Sequence, residues 1–308
     1  MKKFLLVLCL SAFLASPVQA AEKLRLGVLP VVDVVVLYTA RDEGYFRDAG
    51  LEVELVPFQS ALEKDAAVQA GTLDGYFGEI SNPVLHRLAG MDYVIVATTY
   101  FSNPKSRMFG LIASPDSTAT TVAELKGGGI AMSRGTIIDY LLGYFIKAGG
   151  LTEADIDRRD IRKIAMRVQM LLAGQVDAAL LPEPLLSIAE KQGGKVLLDD
   201  RGFSRPLAII ALARQKTDPK TVEAFRSAYA KAVAKVNANP DNARETLLRY
   251  KLIPPTLTDF TPPFFDPARV PNEPPSREEY AAYLNWLRDS GMVGEAALPS
   301  YEDIVFQP

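Results

Sequence analysis

Short apolar runs alternate with amphipathic stretches along most of the chain, and turn-forming residues separate them. Tyr93–Ala97, Met108–Ala113, Lys195–Leu198 and Leu207–Leu212 are too short for core helices, and their apolar content predicts strands. Helix starts are written between them. Ser60-Ala61-Leu62-Glu63, Thr121-Val122-Ala123-Glu124 and Ser276-Arg277-Glu278-Glu279 are capping boxes, with Gly71, Gly127 and Gly291 placed as their C-terminal stops. Asp218-Pro219 puts an N-cap before a proline at the first helical position and predicts a helix to about Asn237. Strands alternating with helices predict an α/β fold with parallel, doubly wound sheets.

The pattern occurs twice. Leu24–Val28 leads through a helix to Ala49-Gly50-Leu51, then to Ala70-Gly71-Thr72-Leu73-Asp74, a strand and Glu79. Gly129–Met132 leads through a helix to Gly149-Gly150-Leu151, then to Ala173-Gly174-Gln175-Val176-Asp177, a strand and Glu183. Two such units predict two lobes with a ligand cleft between them. The expected division is residues 21–113 plus 205–308 as an outer lobe and 114–204 as an inserted lobe, joined by a two-crossing hinge. The crossings are expected near Ala113–Ser117 and Gly202–Pro206. Residues 254–275 are rich in proline, but Phe260, Phe264 and Phe265 give them something to bury, which predicts an ordered wrap.

Composition adds a location. Lys2 and Lys3, the apolar stretch Phe4–Leu14 and Val18-Gln19-Ala20 read as a secretion signal cleaved after Ala20, with a periplasmic destination expected. Cys9 lies inside that apolar stretch, so a mature chain would carry no thiol and no cysteine metal ligand. The net charge is −3, from 34 basic against 37 acidic residues, and there is no basic tract, which argues against nucleic-acid binding.

Ligands of open α/β sheets bind beyond the carboxyl ends of strands. The candidates are therefore Pro30 and Asp33 after the first strand, Ser60 after the second, and Gly78, Glu79, Ser81 and Asn82 after the third. Thr99 follows the fourth; Ser133, Arg134, Gly135, Thr136 and Glu183 belong to the second unit. Ser60, Ser81 or Asn82, and Ser133 are also N-cap candidates, and helix starts offer unpaired N–H groups. Arg134 could fork onto an acidic group, whereas Asp33, Glu79, Asp139 and Glu183 favour donors. Mixed signs suggest a zwitterionic or polar heterocyclic ligand. One histidine, His86, and no Gly-x-Ser-x-Gly or Gly-x-Gly-x-x-Gly motif point away from common hydrolase, zinc and dinucleotide chemistry, and no metal or cofactor is expected.

The order and spacing of these segments resemble the type II periplasmic binding proteins of ABC importers, in the group handling taurine, alkanesulfonates, nitrate and thiamine pyrimidine precursors. The resemblance rests on Gly44-Tyr45-Phe46, Ala49–Val53, Ala70–Asp74, Glu124–Gly127 with Ile130-Ala131, Gly174–Ala178, Glu183-Pro184, Trp286-Leu287 and Tyr301–Val305. It implies a non-enzymatic, monomeric solute carrier for a sulfonate-, pyrimidine- or related heterocycle-like ligand, with permease subunits as partners. It also implies that the loop at Pro30, the turns at Ser60 and Gly78–Ser81, and Ser133–Thr136 line the cleft. Pyrimidine-synthase relatives carry a cysteine-rich motif and catalytic histidines, which this chain lacks. Two alternatives remain open: a dehydratase-type enzyme acting on a small carboxylic acid, with Asp33 or Glu79 as acid or base, and a ligand sensor for a membrane receptor.

Overall fold

Hydrogen bonding sorts the strands into two five-stranded sheets. The computed structural model describes residues 21–307, so the expected signal segment lies outside the described residues. The first sheet has the order β2-β1-β3-β10-β4. Its strands are β1 (Glu22–Val28), β2 (Leu51–Pro57), β3 (Gly75–Gly78), β4 (Tyr93–Phe101) and β10 (Pro206–Ala213). The second has the order β7-β6-β8-β5-β9, built from β5 (Phe109–Ala113), β6 (Gly129–Met132), β7 (Asp157–Asp160), β8 (Ala178–Pro182) and β9 (Lys195–Asp199).

Each sheet is mixed. β1 runs parallel to β2 and β3, and β6 parallel to β7 and β8. One strand in each sheet is antiparallel to both neighbours: β10 in the first and β5 in the second. These are the strands that arrive from the other sheet. The expected two α/β lobes are present, each parallel sheet taking in one antiparallel strand, and the expected first crossing moves upstream. β5 pairs with β8 along all five of its residues, so the chain has already changed sheets before Phe109. Nothing in the run Met108–Ala113 distinguishes the two sheets; pairing partners far away in sequence decide it.

The crossing segments, 102–108 and 200–205, are tied together. Ser102 N–H donates to the Arg205 carbonyl at 2.9 Å, and Arg205 N–H donates to Ser102 Oγ at 3.1 Å. Buried Asp200 Oδ1 accepts from Met108 N–H at 2.7 Å and Phe109 N–H at 2.9 Å. Asp200→Ala leaves both donors without that acceptor and is expected to lower unfolding stability by roughly 2–4 kcal/mol in urea titrations. Asp200→Asn keeps an acceptor and removes a buried charge, so a change within about 1 kcal/mol is expected; equal losses in the two variants would contradict this account.

The capping signals act as read at most positions. Ser60 Oγ accepts from Glu63 N–H at the start of α3 (Ala61–Gln69), although Glu63 returns its carboxylate to Gln59 N–H. Asp218 caps the helix Pro219–Ala238 through Thr221 N–H, and Ser276 with Glu279 closes a full box on the helix Arg277–Asp289. Thr121 and Glu124 also form a full box, but on a 3-10 turn of four residues, Val122–Leu125. The proline-rich wrap is ordered around Phe265, 0% exposed, and Phe260, 8% exposed. It reaches the first crossing, where Asn103 Nδ2 donates to the Phe264 carbonyl at 3.2 Å.

Candidate functional site

The parallel strands of both sheets point their carboxyl ends at a shared gap, as loop positions after such strands predict. The gap encloses a cavity of about 60 Å³. The first lobe contributes Leu29, Val31, Asp33, Ala61, Phe77, Gly78 and Glu79, with Leu207 and Ala208 at the start of β10. The second contributes Met108, Phe109, Ser133, Thr136, Ile137, Ile138, Arg162, Ile164, Arg167 and Pro182. Of the expected residues, Asp33, Gly78, Glu79, Ser133 and Thr136 meet here.

Glu79 joins the lobes. Its Oε1 accepts from Ile137 N–H at 3.3 Å, at the first turn of α5 (Ile137–Ala148). The N-cap of that helix is Thr136, whose Oγ1 accepts from Ile138 N–H; the expected cap, Ser133, instead gives its carbonyl to Thr136 Oγ1 at 2.8 Å. Beneath Glu79, Asn82 Oδ1 accepts from Glu79 N–H at 3.1 Å and from Lys64 Nζ at 3.2 Å. Asn82 therefore braces the turn and does not cap a helix through its side chain, while Ser81 is buried without lining the cavity. Gly78 is required there, because a Cβ would strike Asn82 Oδ1.

Other expected residues take different places. Ser60 caps α3 and only its neighbour Ala61 lines the cavity. Pro30 lines an outer groove that shares Ile164 with the cavity. Thr99 is fully buried inside β4, away from the lining. Arg134 is exposed, and its N–H donates to Asp160 Oδ1 at 3.0 Å, so the expected clamp role has no support from its position. Gly135 adopts φ +75° and gives its N–H to Asp139, a turn requirement. Glu183 accepts from Arg107 Nε at 2.8 Å and from Ser187 Oγ at 2.9 Å, and lies in a separate polar recess.

Electrostatics set the character of the cavity. Burial pushes the Asp33 carboxyl up to about 7; its own backbone bond opposes this and the nearby Asp200 carboxyl adds to it. Burial likewise pushes Glu79 up to about 7 against the attraction of Lys64. On the facing lobe, burial lowers the Arg167 guanidinium to about 10, with Asp160 pulling it back. Arg167 lies on α6 (Ile164–Leu172) and is 1% exposed. The sequence held its signal: Ile164, Arg167, Val168 and Leu171 follow the i, i+3, i+4, i+7 spacing of a buried stripe, with one cation set in it. Among the described residues no cluster of histidine, cysteine and carboxylate side chains could hold a metal ion. No helix among them is long and apolar enough to cross a membrane.

Comparison with known proteins gives three kinds of likeness. Residues 32–243 match the family model described as "NMT1/THI5 like". The chain is 28% identical over 195 residues to a putative aliphatic sulfonates-binding protein of Escherichia coli, a match covering 63% of this chain and 60% of that protein. It is 27% identical over 230 residues to a putative thiamine biosynthesis protein of Haemophilus influenzae, covering 71% and 70%. In fold it is similar to the alkanesulfonate-binding protein SsuA from Xanthomonas axonopodis pv. citri, solved bound to MOPS, with TM-score 0.76 and 21% identity over 94% of this chain and 100% of that one.

Proposed function

The chain belongs to the NMT1/THI5-like family and has the two-lobed fold of type II periplasmic binding proteins, and from that premise we propose that it captures a small polar organic solute between its lobes and hands it to an ABC permease after export. The observation that carries this reading is the contact of Glu79 Oε1 with Ile137 N–H across the gap. Such a bond exists only when the lobes are shut. A ligand that touches both walls therefore favours the closed arrangement by its differential affinity for it. The two crossing segments are short and hydrogen-bonded to one another, which suits rotation about a hinge more than sliding. One relative is named for aliphatic sulfonates and the other for thiamine biosynthesis, so the ligand must be argued from the cavity.

Trp286 offers the readout. It stands on α10 (Arg277–Asp289), edge-on to Tyr140 of α5 at 5.4 Å between ring centroids, and Tyr140 stacks on Tyr283 at 3.9 Å. Closure is expected to change Trp286 emission saturably, and small-angle scattering should show a smaller radius of gyration, with ethanesulfonate, taurine or an aminopyrimidine as probes. Glu79→Ala removes the cross-lobe acceptor and is expected to raise Kd roughly tenfold, about 1.4 kcal/mol. Binding with unchanged scattering, or chemical conversion of the bound probe seen by mass spectrometry, would replace this reading with a rigid binder or an enzyme.

A further inference from the structure

The cavity carries charges that the protein's own residues leave unpaired, and it sorts them by lobe. Arg167 on the second lobe is buried, and its Nε and Nη1 have no hydrogen-bond partner. Its neighbour Asp160 is occupied elsewhere: Oδ1 takes Arg134 N–H at 3.0 Å and Oδ2 takes Arg162 Nε at 3.2 Å. On the first lobe, Asp33 is 2% exposed and its Oδ1 has no partner. Glu79 lines the same wall; its Oε1 accepts from Ile137 N–H, and Asn82 and the Lys64 cation also favour its charged form. A buried ion with unmade hydrogen bonds is strongly unfavourable, so a fold that keeps one at a cavity wall is keeping it for a guest. We propose that the ligand is a short zwitterion whose oxyanion takes Arg167 and whose ammonium takes Asp33 and Glu79 on the opposite wall. This rests on the capture reading and narrows it.

Single-charge ligands fit less well. A simple oxyanion would answer Arg167 but face two carboxyls, which disfavour a second negative group. A simple amine would answer the carboxyls and leave the guanidinium bare. A neutral heterocycle could fill hydrogen bonds without meeting either charge. The cavity of about 60 Å³ holds only a few water-sized groups, which limits the spacer between the two charges to a few atoms. The polarity also explains why such a ligand would close the cleft: each lobe recognises the end that the other cannot.

Calorimetric titration of ligand-stripped protein tests this with β-alanine, taurine and 2-aminoethylphosphonate against propionate, ethanesulfonate, ethylamine and 4-aminopyrimidine. At least one zwitterion is expected to bind tenfold or more tightly than every single-charge or neutral probe. Arg167→Met should weaken it by 30-fold or more, and Asp33→Asn should weaken it while leaving any anion-only binding in place. Arg167→Met is also expected to raise the Tm of the ligand-free protein, since an unpaired buried charge is removed; a fall of several degrees would make Arg167 a support of the fold and overturn the assignment. Failure of every zwitterion to bind overturns it whatever the other probes do. If ethanesulfonate or 4-aminopyrimidine alone binds and shifts Trp286 emission, the capture reading survives and this inference does not.

Discussion

Lys64→Met is expected to lower unfolding stability by roughly 3–5 kcal/mol, because it removes one partner from a buried charge network. Lys64 is 0% exposed. Its ammonium lies 3.2 Å from Asp65 Oδ1, donates to Asn82 Oδ1 at 3.2 Å and sits 4.3 Å from the centroid of the Tyr76 ring. Burial pushes the Asp65 carboxyl up, but Lys64 and His86 more than offset it and hold it below its ordinary value. With Lys64 gone, Asp65 keeps only His86, whose Nε2 is 3.4 Å away and whose Nδ1 pairs with Tyr76 Oη at 2.9 Å. Glu79 loses the cation that opposes its burial, and its carboxyl rises further. Urea unfolding followed by circular dichroism measures the effect; a loss under about 1 kcal/mol would mean that the network is solvated and contributes little.

Ligand-free stability is expected to fall as pH rises from about 4 to 7. Asp33, Glu79 and Asp200 each stand at about 7 in the folded protein, against ordinary values of 3.8, 4.5 and 3.8, and burial is the main cause in each. Between those limits the folded chain binds more protons than the unfolded chain, so unfolding free energy declines with pH. The stabilisation is fully present below about pH 4 and is lost as pH passes 7. The full effect is roughly 4 kcal/mol for Asp33 and Asp200 and roughly 3 kcal/mol for Glu79, since one pKa step is about 1.4 kcal/mol. Carboxyls held low, such as Asp155 at about 2 and Asp199, act in the opposite sense but only in more acidic solution. A Tm maximum near pH 4 is therefore expected by calorimetry, and Glu79→Gln should flatten the decline above it. A Tm that rises steadily to pH 8 would refute the buried-carboxyl account.

Both effects arise at residues of unequal legibility. Asp33 and Glu79 were visible as carboxylates at strand ends, and the topology of an α/β sheet brings such positions to one edge whatever the details of packing. Arg134 and Glu183 occupied equally promising positions, yet one faces solvent and the other is held by Arg107, 76 residues away. Nothing local marks Lys64, on α3, as buried. Its burial depends on Asn82 and Tyr76 lying beneath α3, which no local pattern records. Arg167 interrupts a buried stripe, but an interrupted stripe does not say whether the cation points into a cavity, a core ion pair or solvent.

The sequence by itself determined the repeated strand–helix order and the helix caps at Ser60, Asp218 and Ser276, because these follow from residues within one turn of each other. Tertiary structure decided that β5 and β10 each join the opposite sheet as its antiparallel strand, and which polar strand ends meet. Those outcomes depend on strand pairing and lobe orientation over long sequence separations, where apolar runs of similar composition are interchangeable until a partner is fixed. Asp33 and Glu79 follow strands of one sheet and Arg167 lies on a helix beside the other, so only the assembled lobes bring them to one cavity.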